Sequence, residues 1–178
     1  MKNLISLGEG FTIEFKRSGK AELGRELCAF ANGSGGAVLL GVDDNGTICG
    51  VANHNKLKSE IQSLIRAFEP PLKADIESVD DVLVITVPPQ NGKPYSFGGK
   101  FFLRDGASSQ QLRRNEIREF FFREGVIRYD ETVCEWYDVE KELTGKQWRV
   151  FADRAGIPGT IKSIPALENL HLMRKGKM

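Results

Sequence analysis

The run Ala29-Phe30-Ala31-Asn32-Gly33-Ser34-Gly35-Gly36-Ala37-Val38-Leu39-Leu40-Gly41-Val42-Asp43-Asp44-Asn45-Gly46 joins several backbone habits in one short segment. Its first four residues close a helix that starts near Ala21, because Leu23, Leu27 and Phe30 recur on one helical face. The glycines that follow stop the helix, since glycine enters left-handed backbone cheaply. Ala37 to Val42 is continuously apolar, the pattern of a strand buried on both faces. Asp44-Asn45-Gly46 predicts a hairpin turn, with Thr47 to Val51 returning as the partner strand.

Upstream, Thr12 to Lys16 alternates and predicts a short strand, broken at Ser18-Gly19. Downstream, Asn55 to Phe68 carries an apolar stripe of Leu57, Ile61, Leu64 and Ile65, and Pro70-Pro71 ends it. Ala74 to Val79 and Val82 to Val87 form a second expected hairpin, across Asp80-Asp81. Gln90 to Gly99 is a loop, Lys100 to Arg104 a strand turned by Asp105-Gly106, and Asn115 to Arg123 a helix. Phe101-Phe102 and Phe120-Phe121-Phe122 read as core. Hairpins interrupted by helices define an α+β (mixed α/β) fold, a mixed sheet with helices packed on it, plus a small C-terminal appendage.

Charge marks the boundary. Residues 93–128 hold eight Lys/Arg against four Asp/Glu, whereas residues 129–153 hold three against seven. We therefore read residues 1–125 as one domain and 126–178 as an acidic extension containing Trp136 and Trp148, which cover an edge of the main sheet or anchor an interface. A helix is expected from Lys146 to Ala155, and the tail beyond Gly159 is loosely patterned.

The whole chain has 178 residues, 40% of them hydrophobic, and a formal net charge of +1. No apolar run approaches the roughly 20 residues of a membrane span. Three widely spaced cysteines, Cys28, Cys49 and Cys134, fit neither a disulfide framework nor a zinc site. We expect a soluble, cytoplasmic protein. His54 and His171 stand outside any hydrolase triad pattern.

Four elements occur in fixed order: Ile13-Glu14-Phe15-Lys16; Ala29-Phe30-Ala31-Asn32 with Gly35-Gly36; Gly41 to Gly46 with Ile48 to Val51; and Phe102-Leu103-Arg104-Asp105-Gly106. Over roughly residues 7–124 the chain resembles the Schlafen AlbA-2 domain family, also described as a divergent AAA-4 or DNA-binding domain. The resemblance implies a nucleic-acid partner, DNA or RNA. Such domains stand at the N-terminus of transcriptional regulators and helicase-like proteins, where an ATPase-like region and a winged-helix segment follow. Tyr129 to Leu172 then reads as the linker toward such a region.

In the animal Schlafens the corresponding domain cleaves tRNA and rRNA with three carboxylates. The motif places those on Glu9, Glu14 and Asp44, which as metal ligands would hold Mg2+ or Mn2+ through oxygen. Asn32 and Asp43 would order such a site. The animal enzymes carry two related lobes, so a groove between lobes would here need a homodimer.

Simpler readings stand beside these. In these, Glu14 pairs with Lys16 or Arg17, and Asp44 only opens a turn. Lys16, Arg17 and Lys20 suit phosphate contact or a solvated edge. Arg104 either grips phosphate as a planar fork or pairs with Asp43, Asp44 or Asp105. Arg113, Arg114 and Arg118 form the strongest basic patch, diluted by Glu116, Glu119 and Glu124 into what could be a salt-bridged helix surface. The glycine run at 33–36 lacks the P-loop pattern and precedes a strand, so its duty is structural and no nucleotide site is supported there. Three functions remain open: a phosphate-contacting nucleic-acid-binding module, a divalent-metal-dependent endoribonuclease, and a dimerisation or docking scaffold.

Overall fold

The computed structural model describes residues 2–18, 22–128 and 134–173. The chain forms two compact units, Met1–Val126 and Ile127–Met178.

In the first unit a short helix α1 (Lys2–Ile5) precedes strand β1 (Ile13–Lys16), helix α2 (Leu23–Asn32) and strand β2 (Gly36–Leu40). Helix α3 (His54–Ile65) and β3 (Phe68–Glu69) lead to the hairpin of β4 (Asp75–Val79) and β5 (Val82–Val87). Strand β6 (Ser96–Phe97), the hairpin of β7 (Phe102–Asp105) and β8 (Ser108–Gln111), and helix α4 (Arg114–Arg123) complete it. The principal sheet has the order β1-β2-β5-β4, with β1 parallel to β2 and the other pairs antiparallel. The architecture is α+β.

Strand β2 is central, and its alternation feeds two cores. Val38 and Leu40 join Leu23, Leu27 and Phe30 of α2 with Leu83 and Ile85 of β5. Leu39 faces the other way, toward Ile13, Phe15, Val82 and Val84. Such two-sided burial explains the unbroken apolar run.

The entry to β2 depends on glycine. Gly35 has φ +86°, and a Cβ there would lie 2.6 Å from the Val87 carbonyl oxygen. The glycine run thus lets β2 come close to the end of β5.

One expectation about connectivity needs correction, and one unassigned stretch forms a strand. Thr47 to Val51 does not return as a strand beside β2. β1 occupies one edge of β2 and β5 the other, so no edge is left for it. The returning segment keeps a single bridge, Val42 to Ile48, and gives the Cys49 and Gly50 N–H groups to the Gly41 carbonyl at 2.8 and 2.9 Å. The stretch after Asp105-Gly106, which carried no assignment, pairs with β7 as β8.

Cys28 on α2 is fully buried, its Sγ 3.3 Å from the Tyr95 carbonyl oxygen. Burial pushes its thiol up to about 11, from 9.0, against the lowering effect of nearby backbone hydrogen bonds. A folded pKa above the unfolded one means that the unfolded chain loses its proton first. The contribution is therefore whole below about pH 9 and is lost as pH rises toward about 11. Urea titrations of wild type and Cys28→Ala at about pH 8 and about pH 10.5 should show wild type losing on the order of 2 kcal/mol more stability across that interval. Equal losses would contradict the buried thiol.

The second unit contains α5 (Val139–Glu142), α6 (Gly145–Arg154) and α7 (Ser163–Asn169). Thr144 caps α6 reciprocally with Gln147: the Gln147 N–H donates to Thr144 Oγ1 at 3.3 Å, and the Thr144 N–H donates to Gln147 Oε1 at 2.9 Å. The unit has a core of its own, Val139, Leu167 and Met173 with Trp148, Phe151 and Ile164 against them. The tail is thus more ordered than its pattern indicates, because α7 supplies Leu167 to that core. Trp148 packs in the core of its own unit, and Trp136 is 85% exposed. Among the described residues no helix is long and apolar enough to cross a membrane.

Candidate nucleic-acid interface

The charges that the sequence singles out in the first unit sort into a buried set and an exposed set. Arg104 on β7 is the centre of the buried set, its side chain only 3% exposed. Its Nη2 donates to Glu14 Oε2 at 2.6 Å and to the Gly10 carbonyl at 2.7 Å. Its Nη1 donates to Glu26 Oε2 at 2.9 Å and to Ser109 Oγ at 3.2 Å, and its Nε reaches Gly10 O at 3.1 Å. The Ser109 hydroxyl closes the ring with a very short hydrogen bond to Glu26 Oε2. One planar fork thereby ties the edge strand β1, helix α2 and the β7–β8 hairpin together. Its guanidinium also lies 4.8 Å from the Phe30 ring centroid.

In this structure the partners of Arg104 are Glu14 and Glu26, in place of the aspartates expected from the sequence. Glu26 was missed as a site residue. It sits on the same helical stripe as Leu23, Leu27 and Phe30 and is 1% exposed. Its other oxygen, Oε1, accepts from Arg25 Nε and Nη2 at 3.1 and 2.9 Å. That bond raises the Arg25 pKa above the ordinary arginine value, burial opposing it.

Of the three carboxylates of the metal reading, Glu14 and Glu9 are engaged separately in this structure. Glu14 Oε1 meets Lys16 Nζ at 2.5 Å while Oε2 meets Arg104, so both its oxygens face cations. Burial disfavours the charged Lys16 ammonium, yet the hydrogen bond and charge of Glu14, with Glu26 and Glu9 adding, raise its pKa overall. Glu9 Oε1 accepts the Phe15 N–H at 2.8 Å, and the Gly10 N–H bonds Ile13 O at 2.9 Å. Both bonds satisfy backbone groups of β1, which pairs only with β2 and would otherwise present an open edge. Asp44 is exposed in its turn. Among the described residues no group of three or more His, Cys, Asp or Glu side chains could hold a metal ion.

The residues expected to order the site have structural duties. Asp43 Oδ1 accepts the Asn45 and Thr47 N–H groups at 3.0 and 2.8 Å, building the turn itself. Asn32, 3% exposed, donates from Nδ2 to the Tyr95 and Phe102 carbonyls at 2.8 and 2.9 Å. Its Oδ1 accepts the Tyr95 N–H at 2.7 Å.

The exposed set is different. Arg17 follows β1 and faces solvent, whereas Lys20 lies outside the described residues. Arg113, Arg114 and Arg118 are exposed at the start and along the outer side of α4. Glu116 does not neutralise them; its Oε2 accepts the Arg113 backbone N–H at 2.6 Å as a cap. Among the described residues these three arginines make no ion pair, so the salt-bridged surface expected for α4 is confined to Arg123 and Glu124, at 3.3 Å.

A surface groove of about 570 Å3 lies beside the buried ion cluster, lined by Glu22, Arg25, Phe97, Gly98, Lys100, Phe102, Ser109, Gln110 and Gln111. No sequence signal marked it, because its walls come from α2, the turn after β6 and strand β8.

The β1–α2–β2 crossover with the arginine-bearing hairpin packed on α2 makes a small α+β domain. The chain belongs to the Schlafen AlbA_2 family, whose model (Schlafen, AlbA_2) matches residues 9–113. Among solved structures, the DIP2311 protein from Corynebacterium diphtheriae is similar at 18% identity and a TM-score of 0.47, over 70% of this chain and 26% of that one. The chain thus spans about a quarter of the length of that protein.

Proposed function

We propose that the first unit is a nucleic-acid-binding module that holds its ligand mainly by phosphates. Family membership supports the class, and the unpaired, exposed Arg113, Arg114 and Arg118 carry the reading. Three guanidiniums with no carboxylate partner among the described residues are solvated and ready to displace counterions from a phosphate backbone. Arg17 extends the basic surface; Lys16 contributes less, since Glu14 already faces its ammonium. Such a module would serve a larger regulator or helicase-like protein in the cytoplasm. The carboxylates Glu9, Glu14 and Glu26 would hold the framework rather than act on a phosphodiester.

The test is a salt titration. Binding of a fluorescent duplex DNA and a fluorescent tRNA should weaken steeply as salt rises, with little base preference. Substituting Arg113, Arg114 and Arg118 by glutamine should lower affinity at least about tenfold and flatten the log–log salt slope by about one unit per arginine. Wild-type binding that ignores salt, or a slope the triple variant leaves unchanged, would contradict the proposal.

A further inference from the structure

Resting on that reading, we infer that the groove beside the ion cluster is a subsite for one unpaired nucleotide of a single strand, with Phe97 and Phe102 taking the base, Arg25 and Lys100 its phosphate, and Gln110 and Gln111 its polar edge. The volume, about 570 Å3, lies in the range of small-ligand pockets. Phe102 forms a largely buried floor, and Phe97 is a half-buried wall.

The wall is rigid. The Phe97 ring packs 4.9 Å from the Phe68 ring and directly against Gly24, where any Cβ would collide with it. Phe97 and Lys100 exchange backbone hydrogen bonds of 2.9 and 3.1 Å across Gly98-Gly99, so ring and ammonium are presented side by side. Arg25 is aimed too: Glu26 holds its Nε and Nη2, and its side chain remains 41% exposed. Two cations outnumber the single acid of the lining, Glu22, which lies 3.9 Å from Arg25.

Gln110 and Gln111 are exposed on β8, and the Gln111 amide has no hydrogen-bond partner among the described residues. An amide offers both a donor and acceptor, as a base edge does. The Gln110 amide already donates to Ser108 Oγ at 2.8 Å. Aromatic surface, two cations and the Gln111 amide together match a nucleobase carrying a phosphate. They do not match a duplex, whose bases are stacked inside.

The test compares a labelled single-stranded oligouridine with a duplex of equal length, for wild type, Lys100→Gln, Gln111→Ala and Phe97→Leu. Lys100 and Gln111 are exposed, so those variants leave the core intact; Phe97→Leu keeps apolar cover on Gly24. We expect each to weaken single-strand binding roughly three- to tenfold while duplex binding stays within about twofold. Uridine monophosphate should shift the amide resonances of Lys100 and Gln111 in wild type. Unchanged single-strand affinity in all three variants, with the arginine triple variant still impaired, would overturn the subsite and leave phosphate binding standing. Loss of neither ligand in any variant, the triple included, would overturn both.

Discussion

Replacing Arg104 by methionine should lower folding stability by about 3–5 kcal/mol, because two buried carboxylates lose the cation that faces both. Glu14 is 5% and Glu26 1% exposed, so water cannot take over the vacated bonds. Glu14 keeps Lys16 and Glu26 keeps Arg25, which limits the loss. The Gly10 carbonyl also loses two donors, loosening the segment that closes the edge of β1. Arg104→Lys should rescue little, since one ammonium cannot span both carboxylates as the fork does. Adding Glu14→Gln and Glu26→Gln to Arg104→Met should restore part of the loss by removing the uncompensated charges. Urea unfolding followed by circular dichroism measures all four proteins. A stable Arg104→Met protein with impaired nucleic-acid binding would instead return Arg104 to the phosphate contacts.

Changing Asn32 to aspartate should cost at least about 3 kcal/mol at neutral pH, although the two side chains have nearly the same shape. The amide nitrogen now donates to the Tyr95 and Phe102 carbonyls. An ionised carboxylate would put an acceptor against two acceptors in a site closed to water. The deficit should shrink toward about pH 4, because a carboxyl buried among carbonyls holds its proton and then donates once. Thermal melts of wild type and Asn32→Asp across that interval give the measurement. A difference independent of pH would mean that the aspartate reaches solvent.

The sequence pattern conveyed the ordinary parts well. Strand β1, helix α2, the apolar β2 and the β4–β5 hairpin follow from periodicity and turn residues that act locally. What failed was decided by competition over distance. Asp44-Asn45-Gly46 is a good turn, but the partner it offered β2 lost to β1 and β5, which bring more apolar surface to the same edges. The buried ion cluster was half legible. Glu14 and Arg104 stand out within their motifs, yet their pairing spans ninety positions and no local rule links them. Glu26 did leave a signal: it is a charged residue on the apolar stripe of α2, where burial demands a partner. The exposure of Arg113, Arg114 and Arg118 could not be read from composition, because Glu116 and Glu119 have the right spacing to neutralise them. Glu116 is spent on capping the helix instead.

On the proposed function, the first unit would bind nucleic acid through phosphates while its carboxylates hold the fold. The most direct test incubates labelled tRNA with wild type and Glu14→Gln, in Mn2+ and in EDTA, and reads binding and chain length together. The account predicts intact tRNA in every lane, bound by wild type with or without metal and released by salt, with Glu14→Gln less stable but no different in strand integrity. Cleavage by wild type that needs Mn2+ and disappears in a folded Glu14→Gln protein would contradict it.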